Sequence, residues 1–333
     1  MLKAPKFWYK KNKTFYSSFF YPFSLLFILG SLIRNFFSKK KNNPIPLICI
    51  GNLVVGGAGK TPVCIRIGNL LIKSGYKPNF VSKGYAGLIK ESTLVENWHS
   101  PASVGDESLL LSEVAPTWVG ENRTRSSFLA YKKGADCLIM DDGFQNPSIE
   151  KNFSIIVING EQEFGNKRVI PSGPLRENII KGLSRTNLVI VIGDMSEDLR
   201  NNIPAEIPVF NAKFNINENN EIFKGKDITA FAGIAFPEKF FSSLKQQGAK
   251  IVKEITYPDH HIYNENDLLS LAENANKKKS ILVTTRKDFI RIPKSYRPIV
   301  NTLDGEIIFE NEDLLIEILS NVIESFLVEK SIN

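Results

Sequence analysis

One glycine-rich turn restricts the fold of this chain more than any other stretch. An apolar run at 47–51 precedes it, the turn at 54–61 reads VVGGAGKT, and apolar residues at helical spacing continue to position 73. Glycine lets backbone amides approach an anion closely, and a helix N-terminus adds partial positive charge. The pattern therefore predicts a phosphate-binding loop. The alternative is an ordinary strand-turn-helix connection, and the Gly-Lys-Thr ending argues against it.

The last two residues of this turn indicate a nucleotide. We expect Lys60 to reach the outer phosphates and the hydroxyl of Thr61 to bind Mg2+. The strict P-loop pattern requires glycine at position 54, where this chain has Val54, so the strict motif fails by one residue.

Charge is distributed very unevenly along the 333 residues. The net charge is +7, but residues 1–90 contain 15 Lys and Arg and no acidic residue. A basic N-terminal quarter favours a local anionic partner over general nucleic-acid binding. The cysteines Cys49, Cys64 and Cys137 all lie in apolar runs without a CxxC or Cys/His cluster. This argues against structural zinc and favours buried thiols in a reducing compartment.

The N-terminal segment at 1–41 has the pattern of a membrane-associated helix. An uncharged run at 14–33, rich in Phe, Tyr and Leu, lies between Lys3, Lys6, Lys10, Lys11 and Lys13 on one side and Arg34 with 39–41 (KKK) on the other. Pro22, Ser17, Ser18 and Ser24 weaken a spanning helix, and no signal-peptide cleavage site follows. An interfacial helix is favoured. A helix packed on the protein's own core is the alternative, and the sequence does not separate spanning from lying flat.

A second part of a nucleotide site follows an apolar run at 137–140. Asp141 and Asp142 end that run, and paired carboxylates suit Mg2+. Many apolar strands end in a solvated Asp, so the pair gains weight only from the glycine turn about 80 residues earlier.

Short apolar strands alternate with helices along the chain. This predicts an α/β fold with a mainly parallel sheet covered by helices on both faces, as in P-loop NTPases, with ligands at the carboxyl ends of the strands. The polar stretch NINENN at 215–220 suggests a domain boundary. We therefore expect a P-loop domain at 42–212 and a smaller α/β domain at 221–333. A helix over 103–114, with Ser103 and Asp106 spaced as a capping box, is also predicted.

Histidines are rare in this chain, and two of the three are adjacent. The stretch YPDHH at 257–261 contains His260 and His261, and His99 is the third. A histidine beside an aspartate can act as a general base or orient one. A pair of surface histidines is the alternative.

Several segments together resemble one family, the tetraacyldisaccharide 4'-kinases of lipid A biosynthesis. The matching pieces, in chain order, are IGNLVVGGAGKTP, SKGYAG, VGDESLLL, DDGFQN, VIPSGPLRE, FAGIAFPEKFF, YPDHHIY and VTTRKD. The resemblance implies transfer of the ATP γ-phosphoryl group to the 4' hydroxyl of a tetraacylated glucosamine disaccharide 1-phosphate, with Mg2+, at the cytoplasmic face of the bacterial inner membrane. It implies no nucleic-acid partner and no obligate protein partner.

The resemblance also implies roles for individual residues. Asp106 would activate the sugar hydroxyl together with His260, and Glu107 would contact the metal or its waters. The residues expected around the ATP phosphates are Val54, Val55, Gly56, Gly57, Ala58, Gly59, Lys60 and Thr61. Thr61, Asp141, Asp142 and Glu107 form the expected metal set. Further substrate or phosphate contacts are expected from Lys83, Tyr85, Arg123, Gln145, Asn166 and Arg176.

Four positions depart from the family pattern. Lys83 replaces an arginine, which keeps the charge but loses the bidentate fork. Ala86 replaces a glycine, Asn146 replaces a histidine and Arg286 replaces a glutamate.

Two other functions compete with the kinase. One is a membrane-associated ATPase switch of the deviant P-loop class, which carries a signature lysine where this chain has Val55. The other is a nucleotide-gated membrane adaptor without catalysis. Both predict that nucleotide binding or hydrolysis is indifferent to a disaccharide lipid.

Overall fold

A computed structural model describes residues 4–10, 14–216 and 222–332 of the chain. The described strands, in chain order, are β1 Leu47–Gly51, β2 Pro78–Ser82, β3 Thr93–Leu94, β4 Thr117–Val119, β5 Cys137–Asp141, β6 Phe153–Asn159, β7 Leu188–Ile192, β8 Val209–Ile216, β9 Asp227–Ala232, β10 Lys250–Thr256, β11 Ile281–Thr285, β12 Val300–Leu303 and β13 Gly305–Phe309. The described α-helices are α1 Phe15–Phe19, α2 Tyr21–Phe37, α3 Lys60–Lys73, α4 Pro101–Val104, α5 Asp106–Ser112, α6 Arg123–Lys132, α7 Ile179–Leu183, α8 Glu197–Asn202, α9 Pro237–Gln246, α10 Glu265–Lys278, α11 Arg286–Phe289 and α12 Glu312–Ile332.

The larger sheet has nine strands in the order β13-β8-β7-β6-β1-β5-β2-β4-β3. All neighbours are parallel except the two edge pairs, β13 with β8 and β3 with β4. Strand β1 is buried along its whole length between β5 and β6. The mainly parallel sheet predicted from the sequence is confirmed, and the glycine turn leaves the carboxyl end of this central strand.

Helices cover both faces of this sheet. On one face, Val63, Ile67 and Leu71 of α3, spaced four apart, are fully buried with Phe80 of β2. On the other face, helices α6, α7 and α8 contribute to a second apolar cluster under β5 and β7. Each buried side chain of this size contributes about 1.5–3 kcal/mol, so the two layers fix α3 against the strands.

The smaller sheet is four-stranded and parallel, in the order β10-β9-β11-β12. Helix α9 packs its phenylalanines on one face, and α10 packs Leu268 and Leu271 on the other. This is the smaller α/β unit that the sequence predicts after the polar stretch, whose residues 217–221 lie outside the described part.

The end of the chain differs from the predicted unit 221–333. Strand β13 pairs with β8 in the larger sheet, and α12 buries Leu315, Leu319 and Ile323 against it. Arg66 of α3 holds this return through ion pairs of 2.7 Å to Glu306 and to Glu312. Strand β13 and helix α12 follow β12 in sequence, but the apolar surface that they bury lies on the larger sheet. The smaller unit therefore ends near β12.

The N-terminal segment is helical and strongly apolar on its outside. A 3-10 turn, Lys6–Tyr9, precedes α1 and α2, and the most exposed large side chains include Phe15, Phe36 and Phe37. Two buried serines attach the segment to the loop at 168–176: Ser24 donates to Val169 O at 2.7 Å, and Ser17 O accepts a bond from Ser172. Within the described residues, no helix is sufficiently long and apolar to span a bilayer. Lys3, Lys11 and Lys13 lie outside the described residues.

Candidate active site

The glycine turn forms an open cradle at the start of α3. Gly59 is the N-cap residue with φ 86°, and Gly56 has φ 119°, conformations that favour glycine. A Cβ on Gly59 would lie 2.5 Å from Cδ1 of Ile192, so a side chain there would require the end of the Ile192 side chain to shift. The first amides of α3 have no partner within the helix and are available to an anion.

The beginning of the turn has a different role from the one expected. Val54 is buried and forms a bridge with Leu175, while the amide of Val55 donates to Pro174 O at 2.8 Å. In this arrangement Val55 offers no amide to a phosphate. The two valines instead join the cradle to the Pro-Gly loop at 168–176, and Gly56 to Thr61 form its open part.

Thr61 and Asp141 form the centre of the predicted metal site. The Thr61 hydroxyl donates to Oδ2 of Asp141 at 3.0 Å. The other oxygen, Oδ1, is buried and has no hydrogen-bond partner among the described residues. A buried carboxylate oxygen without a partner is costly, and a hard cation is the ligand that a carboxylate and a hydroxyl suit. These two residues therefore fit Mg2+.

The other predicted metal residues point elsewhere. Within the described residues, no three His, Cys, Asp or Glu side chains are grouped as a metal site. Asp142 pairs with Arg176 at 2.8 Å and with Lys60 at 3.7 Å. Burial raises the pKa of Asp142, but the positive charges of Lys60 and Arg176 bring it below its ordinary value. A role for Asp142 in metal binding stays a prediction.

Polar contacts around Asp142 hold the edge of the cradle. Arg123 is buried and donates to Asp142 O at 3.1 Å, and Gln145 donates to Asn52 O at 2.9 Å. Lys60 in turn contacts Oδ1 of Asn52 at 3.3 Å. The hydrogen bonds of Arg123 and Gln145 go to protein groups, and their contacts with substrate or phosphate stay a prediction. Asn166 lies farther out, where its amide donates to Ser172 O at 3.0 Å and organises the loop next to the N-terminal segment.

A carboxylate of the larger unit and a histidine of the smaller one meet directly. Oδ2 of Asp106 lies 2.9 Å from Nδ1 of His260. Burial raises the pKa of Asp106, but the hydrogen bond from His260 and the charges of Lys287 and Arg291 bring it below its ordinary value. Because a carboxylate only accepts, Nδ1 carries the proton and Nε2 is left with a lone pair.

The backbone at Gly105 explains the position of Asp106. The predicted continuous helix at 103–114 is wrong, since Gly105, with φ 85°, separates α4 from α5. The capping box lies earlier, between Ser100 and Ser103. Asp106 takes no part in that box, and its Oδ1 accepts a hydrogen bond from the amide of Glu107 at 2.9 Å. It begins the new helix, where its side chain is directed to His260.

A lysine of the smaller unit connects Glu107 with the same histidine. Nζ of Lys287 lies 3.0 Å from Oε1 of Glu107 and 3.5 Å from Nε2 of His260. The charge of Glu107 also contributes, after burial, to the raised pKa of Asp141, about 7. Glu107 thus lies between the metal site and the Asp106–His260 pair.

Tyr85 approaches this region from the loop after β2, which also contains Lys83. The ring of Tyr85 lies 5.6 Å from that of His260, whereas Lys83 is exposed. His261, next in sequence, does not join the pair. Its Nε2 lies 2.9 Å from Asp267 on α10, and its ring stacks on Tyr257.

The departures from the family pattern have local explanations. Ala86 has φ 62°, a conformation that favours the usual glycine. Oδ1 of Asn146 accepts hydrogen bonds from the amide and hydroxyl of Ser148 and closes a turn. Arg286 pairs with Glu113 across the two units at 3.0 Å.

Sequence reasoning missed the residues that hold the smaller unit around His260. Lys287, Asp288 and Arg291 all follow β11, and the last two are buried. The sequence shows four ionisable residues, at 286–288 and 291, in an otherwise apolar stretch after a strand, and the first three belong to the VTTRKD match; neither signal indicates their partners.

Comparisons with known proteins agree with this geometry. The family model of tetraacyldisaccharide-1-P 4'-kinase (LpxK) matches residues 16–324. The chain is 39% identical over 329 residues to the tetraacyldisaccharide 4'-kinase of Paramagnetospirillum magneticum, covering 96% of this chain and 99% of the relative. It is 38% identical over 325 residues to the protein of the same name from Rhodospirillum rubrum, covering 96% and 97%.

A solved structure shows the same architecture. The crystal structure of LpxK from Aquifex aeolicus in complex with ATP matches with a TM-score of 0.76 and 25% sequence identity, covering 92% of this chain and 99% of that one. The similarity therefore includes both units and not only the nucleotide-binding half.

Proposed function

Because the chain belongs to the tetraacyldisaccharide 4'-kinase family, we propose that it transfers the γ-phosphoryl group of ATP to the 4' hydroxyl of a tetraacylated glucosamine disaccharide 1-phosphate. The product is the 4'-phosphorylated lipid A precursor, lipid IVA. The chain is thus an ATP-dependent kinase of lipid A biosynthesis.

The contact between Asp106 and His260 is the observation that best supports this reaction. It joins the two units at 2.9 Å beside Glu107, whose charge acts on Asp141 of the nucleotide site. A site for a hydroxyl nucleophile is therefore adjacent to a site for phosphate. An ATPase switch does not act on a disaccharide lipid and therefore requires no base for a sugar hydroxyl.

Phosphoryl transfer requires mainly alignment and neutralisation of charge. We assign the β- and γ-phosphates to the open cradle from Gly56 to Thr61, with Lys60 as the nearest cation. Mg2+, when bound, neutralises phosphate charge, and Thr61 and Asp141 are the residues that would hold it. Arg176 and Arg123 keep Asp142 in place and so preserve the shape of the cradle.

The hydroxyl must lose its proton as it attacks, and the Asp106–His260 pair can accept it. The carboxylate fixes the ring through Nδ1, so Nε2 of His260, which also lies 3.5 Å from Nζ of Lys287, is the nitrogen that would accept the proton. The two residues come from different units, so the contact between the units assembles the pair.

The exposed apolar side of the N-terminal segment supports association with a membrane. Its aromatic side chains and the exposed lysines at 39–41 suit a bilayer surface with anionic headgroups. We place the protein on the cytoplasmic face of the inner membrane, where ATP is present.

The test combines purified protein, ATP labelled at the γ-phosphate, Mg2+ and the disaccharide lipid. We expect label to move to the lipid. ATP hydrolysis that is indifferent to the lipid, with no label on it, would instead support the switch and exclude the kinase.

The role of the pair is tested by His260→Ala with His261→Ala as the matched control. General-base catalysis contributes about 100- to 10,000-fold, so His260→Ala should lower kcat within that range. His261→Ala should stay within about threefold of the wild type, since that ring bonds to α10 instead. Wild-type turnover by His260→Ala at saturating substrates would exclude the pair as the base.

A further inference from the structure

Arg291 is a buried arginine with no assigned role in this reaction. It lies just after α11 in the smaller unit, and its side chain is 2% exposed. A buried guanidinium is tolerated only when its donors find partners, because a desolvated charge is costly. The partners of Arg291 therefore indicate what it does.

Four of its five partner residues contact His260 or follow it directly in sequence. The guanidinium donates to Gly233 O at 3.0 Å, to His261 O at 3.1 Å and to Lys287 O at 3.1 Å. It also pairs with Oδ1 of Asp288 at 3.1 Å, and its Nε lies 3.4 Å from Oδ2 of Asp106. One side chain thus connects three backbone carbonyls of the smaller unit with the carboxylate of the larger unit.

The backbone of His260 needs such support. His260 has φ 60°, a left-handed conformation that a residue with a side chain adopts at a cost. Its amide donates to Gly233 O at 3.1 Å, the same carbonyl that accepts a bond from Arg291. Arg291 therefore holds the acceptor of the His260 amide and the carbonyl that follows His260.

Asp288 completes this support without touching the pair itself. Its Oδ1 accepts bonds from the amide of Gly233 at 2.9 Å and from the Tyr263 hydroxyl at 2.7 Å. Oδ2 accepts a bond from Thr285 at 2.6 Å. Asp288 neutralises Arg291 and is itself held by these hydrogen bonds. The guanidinium therefore has one orientation.

We infer that Arg291 is a positioning residue for the phosphoryl transfer: it holds His260 in its left-handed backbone conformation and draws Asp106 to it, so that the pair is assembled before the lipid binds. This inference rests on the proposed function for its kinetic consequence. The geometry requires the planar, five-donor fork of arginine, because a lysine ammonium cannot satisfy three carbonyls and two carboxylates together.

The kinetic test uses Arg291→Lys and Arg291→Gln, with Arg297→Lys as the control. Arg297 also donates to backbone carbonyls of the smaller unit, Ile290 O and Ile292 O, and these hydrogen bonds do not involve the pair. Displacement of a reacting group by about 1 Å costs about 100-fold in kcat, which we expect for Arg291→Gln, with a smaller loss for Arg291→Lys. The KM for ATP should change by less than about twofold, because the cradle lies in the other unit.

A spectroscopic measurement separates positioning from a general loss of stability. With only three histidines, 15N-histidine labelling gives a simple NMR spectrum, assigned with His99→Asn and His261→Asn. In folded Arg291→Lys, the Nδ1–H signal of His260 should move to the position of a ring not bonded to a carboxylate. It should stay unchanged in Arg297→Lys, even where that variant melts earlier.

Several results would overturn the inference. One is a folded Arg291→Lys with wild-type kcat and an unmoved His260 signal; another is an equal loss of kcat in Arg297→Lys. If neither Arg291 variant folds, hydrogen exchange of the wild-type protein is measured instead. The Nε–H of Arg291 and the amide of His260 must then both exchange slowly with solvent, and fast exchange of either would overturn the inference. Absence of lipid phosphorylation by the wild type would refute the proposed function, while the NMR measurements would still test Arg291.

Discussion

The hydroxyl of Thr61 donates a 3.0 Å hydrogen bond to Oδ2 of Asp141, and this bond joins the first turn of α3 to the end of β5. Two segments 80 positions apart thus meet where the phosphates are expected. Because Oδ1 of Asp141 is buried without a partner among the described residues, the carboxylate is poised for a cation and is difficult to ionise in its absence.

We predict that Mg2+ binding releases a proton from Asp141. Burial, followed by the charge of Glu107, raises the pKa of Asp141 to about 7. A carboxyl with a raised pKa is protonated below that value, and its contribution to stability is lost as pH rises through 7. Mg2+ binds the ionised form, so its affinity should fall by about tenfold per pH unit below 7, and Mg2+ should raise the Tm more at pH 8 than at pH 6.

Calorimetric titration with Mg2+ and ATP in two buffers of different ionisation enthalpy measures the protons released. Asp141→Asn is the control and should release none at this site. Equal proton release by the wild type and Asp141→Asn at pH 6.5 would show that the titrating group lies elsewhere.

The N-terminal segment should determine binding to lipid vesicles. Phe36 is 84% exposed and Phe37 is 77% exposed. Burying one such ring in an interface contributes about 1 kcal/mol or more, so replacing both by serine should weaken binding to vesicles containing phosphatidylglycerol by at least about tenfold. Trp98→Ser is the control, because Trp98 is 76% exposed but lies on another part of the protein.

Co-sedimentation with vesicles at low and high salt separates the apolar from the electrostatic contribution to membrane binding. Salt should weaken the binding of every variant, since it screens the exposed lysines at 39–41. Unchanged binding of the double serine variant would exclude this segment as the membrane contact.

Ala86 offers a test of backbone strain. It has φ 62°, and the left-handed conformation costs a residue with a Cβ about 1–2 kcal/mol. Ala86→Gly should therefore stabilise the protein by about 0.5–1 kcal/mol, after the greater freedom of glycine in the unfolded chain is subtracted. Ala272→Gly, within α10, should destabilise the protein by a similar amount. Urea unfolding measures both, and destabilisation by Ala86→Gly would contradict the strain.

The phosphate cradle could be predicted because its determinants are local. Glycines with positive φ, the following lysine and threonine, and a strand ending in Asp141 are all legible within short windows of sequence. The Asp106–His260 pair was expected only from the family resemblance. Nothing near Asp106 in the sequence shows that its partner lies 154 positions away.

Other features depend on distant neighbours and leave no local pattern. Gly105 breaks the predicted helix through its φ of 85°, and a Cβ there would lie 2.6 Å from Tyr85 O. The return of β13 and α12 to the larger sheet follows from the unpaired edge of β8 and an uncovered apolar face. Arg291 resembles any charged residue after a strand, and only the folded chain shows its five partners.

Arg286 is the departure from the family pattern that we expect to matter for closure of the two units. It pairs with Glu113 at 3.0 Å, and the two side chains are 48% and 44% exposed. The glutamate usual at this position would face Glu113 with like charge. An exposed pair of this kind contributes at most about 1 kcal/mol, so Arg286→Glu should raise the KM for the lipid by up to about fivefold at low salt.

The reversed pair, Arg286→Glu with Glu113→Arg, should restore the KM, because attraction is restored with the charges exchanged. High salt should remove the difference between Arg286→Glu and the wild type. Lys245→Glu is the control: it breaks an exposed pair with Glu254 that lies within the smaller unit and should leave the KM unchanged. A KM for Arg286→Glu that is independent of salt, or that the reversed pair fails to restore, would show that this ion pair does not contribute to closure.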